Sequence, residues 1–210
     1  MKILRRLCTL GLFVLVWATA AAESPGDPDA VSLRLFVEAP SDILSVTHGE
    51  QVKLGRFPPD IPTLKDTPIA DTLVLTASLR DANGRQVGIS SELEAFPPND
   101  PDHKKPWQTW WTIVLPDRGA LLAYQTEKIH EGAAAAFNAP ARTGEDWVGS
   151  VTEQNTTGPN ADGSGVIVGG TGEFAGAEGR FVEIGTLKRV TVDGRMEAVL
   201  ELRFYLEGQQ

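Results

Sequence analysis

The residues whose types and spacing could most readily do chemistry lie in the glycine-rich segment 165–182. Gly170, Gly172 and Ala175 fit the pattern G-x-G-x-x-G/A, in which a tight backbone turn and a helix N-terminus hold a pyrophosphate. That site needs a helix directly after the glycines and then a second parallel strand. The following residues alternate with period two, and Asp193-Gly194 is a hairpin turn signal, so they favour antiparallel strands. Nucleotide binding is therefore the weaker of two interpretations of this segment.

The rest of the chain has few residues with a recognisable catalytic or metal-binding spacing. The three histidines, His48, His103 and His130, lack the spacing of metal ligands, and the one cysteine, Cys8, lies in an apolar run. The sequence has no nucleophile elbow, no P-loop and no zinc-protease helix motif. We therefore predict neither a metal nor an organic cofactor.

The N-terminal residues have the pattern of an export signal. A basic start with Lys2, Arg5 and Arg6 precedes an apolar run over 7–18 that is too short to span a bilayer, and Ala20-Ala21-Ala22 offers a cleavage site. We predict a signal peptide over 1–22, a polar linker over 23–30, and a secreted or periplasmic domain over 31–207. No later apolar run is long enough to span a membrane, so no membrane insertion is expected after cleavage.

The charge balance limits the partners of the domain. The full chain has a formal net charge of −9, and the predicted signal removes basic residues only, so the mature chain is more acidic still. Such a surface repels phosphate backbones, and we expect no nucleic-acid partner. A homo-oligomer is compatible with the sequence.

Turn signals divide residues 31–207 into evenly spaced short strands, a pattern typical of an all-β barrel or sandwich. Alternation is clearest in 196–206, where Met196, Leu200 and Phe204 share a face opposite Glu197 and Glu201. Residues 133–144 are small and loosely patterned, and they form either a loop or one short helix. The predicted strands cover 31–38, 71–80, 86–95, 107–115, 121–130, 147–154, 180–192 and 196–206.

The glycine segment resembles a motif of two related families. Gly169-Gly170-Thr171-Gly172, followed by Phe174, is similar to the V-x-G-G-T-G-x-F-x-x-A-x-G signature of dirigent proteins and to a segment of the allene oxide cyclases. Residues 79–88 and 195–206 resemble other strands of these barrels. The resemblance implies an antiparallel eight-stranded β-barrel around a ligand cavity. It also predicts that the glycines form a turn between two strands.

The resemblance also suggests site residues. It implies that Glu38, at the position of an acid in the first strand of these families, is the catalytic residue, although Pro40 replaces the Asn that cyclases have two positions on. In an apolar cavity its pKa would rise by desolvation, which suits a general acid. Arg34 shares the strand face of Glu38. The remaining candidate cavity or motif residues are Phe36, Trp110, Trp111, Tyr124, Gly169, Gly170, Thr171, Gly172 and Phe174.

Two functions follow as hypotheses. In the first, the barrel binds a small hydrophobic molecule and steers its cyclisation or stereoselective coupling, which needs positioning more than catalytic side chains. In the second, the barrel is not catalytic and serves ligand carriage or protein contact. A cavity with Glu38 pointing inward would favour the first, and a barrel filled by Trp and Leu side chains would favour the second. Two Phe-Pro-Pro segments, 57–59 and 96–98, are expected to lie outside the barrel wall, with their Phe residues over its mouth.

Overall fold

The computed structural model describes residues 30–48, 51–52, 72–98, 100 and 104–207. The predicted signal peptide, most of the linker, the segment 57–59 and His103 lie outside these residues. Among the described helices, none has the length and apolar character required to cross a membrane.

The described chain consists of twelve strands and one helix. The strands are β1 Leu33–Ala39, β2 Ile43–His48, β3 Gln51–Val52, β4 Thr72–Arg80, β5 Gln86–Ala95, β6 Trp107–Leu115, β7 Gly119–Glu127, β8 Trp147–Gln154, β9 Thr156–Gly158, β10 Gly165–Gly172, β11 Gly179–Val190 and β12 Met196–Leu206. The helix α1 spans Glu131–Thr143 and lies between β7 and β8. The predicted spans 86–95, 107–115, 147–154 and 196–206 coincide with β5, β6, β8 and β12.

Eight of these strands close into an antiparallel barrel, as predicted. The order around the wall is β1-β12-β11-β10-β7-β6-β5-β4, and the pair Phe36↔Arg80 joins β4 back to β1. The remaining four strands extend this wall: β2 pairs with β4, β3 with β2, β8 with β11, and β9 with β7. Closure pairs each of the eight strands with two neighbours, which limits the free edge available for edge-to-edge pairing.

Side chains fill one half of the barrel interior. The core there contains Trp111, Phe174, Phe181 and Phe204, each at most 1% exposed, and the rings of Phe181 and Phe204 are 5.0 Å apart. Leucines and valines of β1, β4 and β12 pack around them. The barrel is therefore closed by its own core at the end where β10 finishes and β11 begins.

The glycine segment lies partly in a strand, which corrects the prediction that all its glycines form a turn. Gly169 to Gly172 continue β10 and pair with the start of β7, from Leu122 to Gly119. Only the following residues, 173–176, form the turn into β11. No helix begins at Gly172 in this described segment, so the pyrophosphate interpretation lacks the helix N-terminus that it requires. Close approach to the β7 backbone explains the composition, because a Cβ on Gly172 would lie 2.5 Å from the carbonyl oxygen of Arg118.

Helix α1 covers nearly the same residues as the short helix considered over 133–144 and begins two residues earlier. It ends at Gly144, whose φ of 76° is left-handed and whose N–H donates to the Pro140 carbonyl over 2.9 Å. Such a glycine terminates helices because it adopts this conformation without a Cβ clash. The sequence indicates this helix only weakly, because its run of alanines does not form a strong apolar face.

Candidate functional site

The open half of the barrel encloses a cavity of about 390 Å³. This volume is in the range of small-molecule sites. Its apolar wall comes from β4, β6, β8, β11, β12, α1 and the residues after β5 and β7. The apolar lining residues are Leu73, Leu75, Phe96, Trp107, Ile129, Ala133, Phe137, Val151, Leu187, Met196, Ala198 and Leu200.

Four carboxyl groups form the floor of this cavity, and we call them the carboxyl floor. They are Glu92 and Glu94 of β5, Glu127 of β7 and Glu183 of β11. All four are buried, with exposed fractions of 2% to 9%. Each lies on the inward face of its strand because the side chains of a strand alternate between its two faces. Four glutamates from three strands thus meet where the filled half of the barrel ends.

Most hydrogen-bond donors of the floor are directed at Glu183. Trp111 Nε1 donates to its Oε2 over 3.1 Å and Gln125 Nε2 over 2.7 Å, while Asn155 Nδ2 donates to Oε1 over 2.8 Å. Gln125 Nε2 also donates to Glu127 Oε1 over 2.6 Å. Thr156 Oγ1 fixes the orientation of the Gln125 amide by donating to its Oε1 over 2.5 Å. The donors of this network are therefore already committed within the protein.

The carboxyls of Glu92 and Glu94 receive fewer hydrogen bonds than the carboxyl of Glu183. Among the described residues, the Glu92 carboxyl accepts no hydrogen bond, although it is only 4% exposed and borders the cavity. Thr109 is fully buried, and its hydroxyl forms no hydrogen bond of ordinary geometry with a described residue. One carboxylate oxygen from each of Glu92, Glu94 and Glu127 lies within 4.8 Å of the others, close enough to surround a single small cation.

Burial raises the pKa of all four groups, and the neighbouring carboxylates add to the increase for Glu92, Glu94 and Glu127. Burial, then the charge of Glu183, raises the pKa of Glu94 to about 8. Burial and the neighbouring carboxylates raise the pKa of Glu92 and of Glu127 well above its usual value. For Glu183 burial also raises the pKa, and the bonds from Asn155, Gln125 and Trp111 oppose the increase. With a pKa of about 8, Glu94 holds a proton at neutral pH and can donate it.

Helix α1 covers part of the cavity mouth. Ala133 and Phe137 line the cavity, and the Phe137 ring is still 40% exposed at the rim. The helix start is held by Glu153 of β8, which accepts from the N–H groups of Gly132 and Ala133 over 3.2 and 3.1 Å. A carboxylate there satisfies unpaired donors and complements the helix dipole. On the opposite side of the mouth, Phe96 packs against Trp107 with ring centroids 5.4 Å apart.

Glu38 and the residues predicted beside it lie on the outside of the barrel. Glu38 and Arg34 are exposed, and Arg34 pairs with Glu201 of β12 over 2.5 Å. Phe36 shares this outward face beneath the Arg34 guanidinium, which lies 5.6 Å from its ring centroid. The inward face of β1 carries Leu35 and Val37 instead. The expectation that Glu38 faces the cavity is wrong, because the inward register of β1 falls on the odd-numbered residues.

The two adjacent tryptophans point to opposite faces, as predicted. Trp111 is 1% exposed and lies below the carboxyl floor. Trp110 is 39% exposed on the outer wall, where its ring packs 5.3 Å from that of Tyr124. Trp110 and Tyr124 therefore do not line the cavity. Trp107, four residues before Trp111 on the same face, does line it.

The glycine-motif residues are remote from the cavity mouth. Gly169, Gly170, Thr171 and Gly172 pair with the beginning of β7, whereas the cavity borders its end at Glu127. Phe174 is 1% exposed in the core of the filled half. These residues shape the closed end of the barrel.

Sequence reasoning did not identify the four glutamates of the carboxyl floor. A signal was present, since Glu92-Leu93-Glu94 and Gln125-Thr126-Glu127 each place two polar side chains on one strand face. Strand alternation alone assigns such a face to solvent. In β5 the assignment is reversed, because Ile89 and Leu93 are each 43% exposed on the outer wall. Only closure of the barrel shows that its polar face is inside.

No protein-family model matches the chain, and no curated protein matches it.

Proposed function

We propose that the barrel binds one small hydrophobic molecule at its open end and holds it in a single conformation, as cyclisation or stereoselective coupling requires. The observation that carries the proposal is the cavity of about 390 Å³, with an apolar wall above a buried carboxyl floor. Few polar groups at the base of an apolar pocket are the usual arrangement for orienting a ligand. The resemblance of the glycine segment to dirigent proteins and allene oxide cyclases supports the steering role.

Simple energetics indicate what the carboxyl floor adds. Burying about 300 Å² of apolar ligand surface gains on the order of 7 kcal/mol at about 25 cal/mol per Å². Association costs several kcal/mol of this, so apolar contact alone supports roughly micromolar binding. A hydrogen bond to a charged or protonated carboxyl adds selectivity for one orientation. The floor therefore fixes the direction in which an elongated molecule enters.

The floor also supplies acid-base chemistry suited to an isomerisation. A protonated Glu94 can donate its proton to an oxygen of the bound molecule as a carbon–oxygen bond opens or polarises. The resulting carboxylate can recover a proton from the carbon skeleton as the ring closes, so the product keeps the composition of the substrate. This assigns the general-acid role to the carboxyl floor, because Glu38 does not reach the cavity.

A cavity-filling variant tests the proposal. Ala198→Trp would place a large side chain among the lining residues, whereas Val168→Trp changes an outer-wall residue that is 57% exposed. We expect wild-type protein, purified from its native compartment, to release a small apolar molecule on solvent extraction and mass spectrometry. We expect Ala198→Trp to lose it and Val168→Trp to keep it. If folded wild-type protein carries no such molecule and binds no apolar fluorophore, the proposal is wrong.

A second function, protein contact, is favoured by the outer wall of β5, β6, β7 and β10. Large apolar side chains there are 39% to 57% exposed and adjoin one another through the pairs Ile89↔Val114 and Leu93↔Trp110. Such a contiguous patch marks interaction sites in soluble proteins. The exposed members are Ile89, Leu93, Trp110, Val114, Leu122 and Val168. Replacing Leu93 and Val114 by Lys should abolish any association seen in sedimentation velocity and leave fluorophore binding unchanged; unaltered association would exclude this contact.

A further inference from the structure

We infer that the molecule bound in the cavity carries a primary amine, or a similarly small organic cation, at its polar end. This inference rests on the proposed function of small-molecule binding and specifies the class of ligand. It follows from a buried carboxyl of the carboxyl floor that receives no hydrogen bond from a described residue, and from the lack of any basic side chain except the exposed Lys128 among the described lining residues.

Most side-chain hydrogen-bond donors around the carboxyl floor already have an acceptor within the protein. The amide and indole donors of Gln125, Asn155 and Trp111 are already directed at Glu183 and Glu127. The Glu92 carboxyl, 4% exposed, receives no hydrogen bond from any described residue. No side-chain donor of the described lining residues is therefore directed at the Glu92 carboxyl, which borders the cavity. An ammonium group, which has three donors and no acceptor, complements this surface.

Among the described lining residues, carboxyl groups far outnumber basic side chains. Glu92, Glu94 and Glu127 place carboxylate oxygens within 4.8 Å of one another, with Glu183 beside them. Among the described lining residues the only basic side chain is that of Lys128, which is exposed at the rim. Glu153 adds a further carboxylate above the floor, held at the start of α1. Buried carboxyls without a counterion are costly, and a bound cation removes the cost of ionising one of them.

The shape of the cavity favours an amphipathic molecule over a metal ion. The apolar wall begins directly above the floor with Leu75 and Leu200 and continues to Phe137 at the rim. A hydrated metal ion would leave this wall in contact with water. An amine with an aliphatic or ring body fills both parts, since the ammonium lies on the glutamates and the body lies against the wall. The two halves of the cavity therefore match one amphipathic molecule.

Three probes of equal length separate the alternatives: octylamine, 1-octanol and octanoate. We expect isothermal titration at pH 7 to give octylamine an affinity at least tenfold higher than that of octanol, with octanoate the weakest. Titration in two buffers of different ionisation enthalpy should show release of about one proton per octylamine bound, because a protonated carboxyl ionises to pair with the ammonium. Glu92→Gln combined with Glu94→Gln should remove the preference for the amine, and the exposed Glu178→Gln should keep it.

The outcomes distinguish this inference from the proposed function. Equal affinities for octylamine and octanol would overturn the amine inference and leave small-molecule binding intact. Failure of all three probes, with folded protein confirmed by circular dichroism, would overturn the proposed function as well. Binding of Ca²⁺ or Mn²⁺ that requires Glu92 and Glu94, without binding of octylamine, would instead identify an inorganic cation site. If the double variant does not fold, the ranking of the three probes on wild-type protein still decides the question.

Discussion

The indole nitrogen of Trp111 donates a hydrogen bond to Oε2 of Glu183 over 3.1 Å, from β6 to β11 through the barrel interior. Both residues are at most 2% exposed, but only Glu183 borders the cavity. The bond therefore marks the level at which the filled half of the barrel ends and the cavity begins. It couples the packing of the core to the orientation of the carboxyl floor.

This bond predicts different effects for two adjacent substitutions. Trp111→Phe removes the donor, leaves Glu183 less compensated and creates a void, so we expect the free energy of unfolding to fall by about 2 kcal/mol or more. Trp110→Phe acts on the outer wall, where we expect a change within about 1 kcal/mol. Urea unfolding followed by circular dichroism measures both. Equal losses for the two variants would show that the Glu183 bond contributes little.

The fold was predictable to a greater extent than the site. Period-two alternation and turn signals predict strands such as β5, β6 and β12 because each pattern is local. The inward direction of Glu92 and Glu94 depends on which face of β5 the closed barrel encloses, and no local pattern contains that information. Glu38 was misplaced for the same reason, since a shift of one residue in register exchanges the faces of a strand.

The raised pKa values predict that stability decreases as pH increases through neutrality. Glu94 has a usual pKa of 4.5 and a folded-state pKa of about 8, so between these values the folded protein keeps a proton that the unfolded chain loses. The free energy of unfolding should therefore fall across this interval. Glu92, Glu127 and Glu183 contribute with the same sign, because burial raises each pKa. Lys128, exposed at the rim, is the only basic side chain among the described cavity-lining residues.

Asp42 contributes to the acid limb of the same curve with the opposite sign. Burial raises the pKa of Asp42, but the hydrogen bonds led by Arg80 outweigh it and the net pKa is lowered. The stability that Asp42 contributes is lost as pH falls through its lowered pKa. We therefore expect maximal melting temperature near pH 4 to 5. Glu94→Gln should raise the melting temperature at pH 8 and not at pH 4, while the exposed Glu178→Gln should change it at neither pH; a wild-type melting temperature that rises from pH 5 to pH 8 would contradict this prediction.

The glycine segment provides a matched pair of positions. Gly172 and Gly176 both have left-handed backbones, with φ of 62° and 72°. A Cβ on Gly172 would lie 2.5 Å from the Arg118 carbonyl oxygen, whereas a Cβ on Gly176 would contact nothing within 4 Å. Gly176→Ala should therefore cost only the backbone strain, about 1 kcal/mol, and Gly172→Ala about 3 kcal/mol because the clash adds to it. Chemical denaturation measures both, and similar losses would show that β10 can move away from β7 at little cost.

We expect ligands to enter the cavity past Phe137 and Phe96. Phe137 of α1 lies at the rim and is 40% exposed, so Phe137→Ala should lower the melting temperature less than removal of a fully buried core Phe would. It should accelerate uptake of an apolar fluorophore in stopped-flow experiments several-fold, because the ring narrows the mouth. Phe96→Ala should also accelerate uptake but cost more stability, since Phe96 packs against Trp107 at 5.4 Å. Val148→Ala is the control, because Val148 is 72% exposed and outside the cavity lining. Unchanged uptake in both Phe variants would mean that ligands enter elsewhere along the rim, and α1 would then serve only to cover the apolar wall.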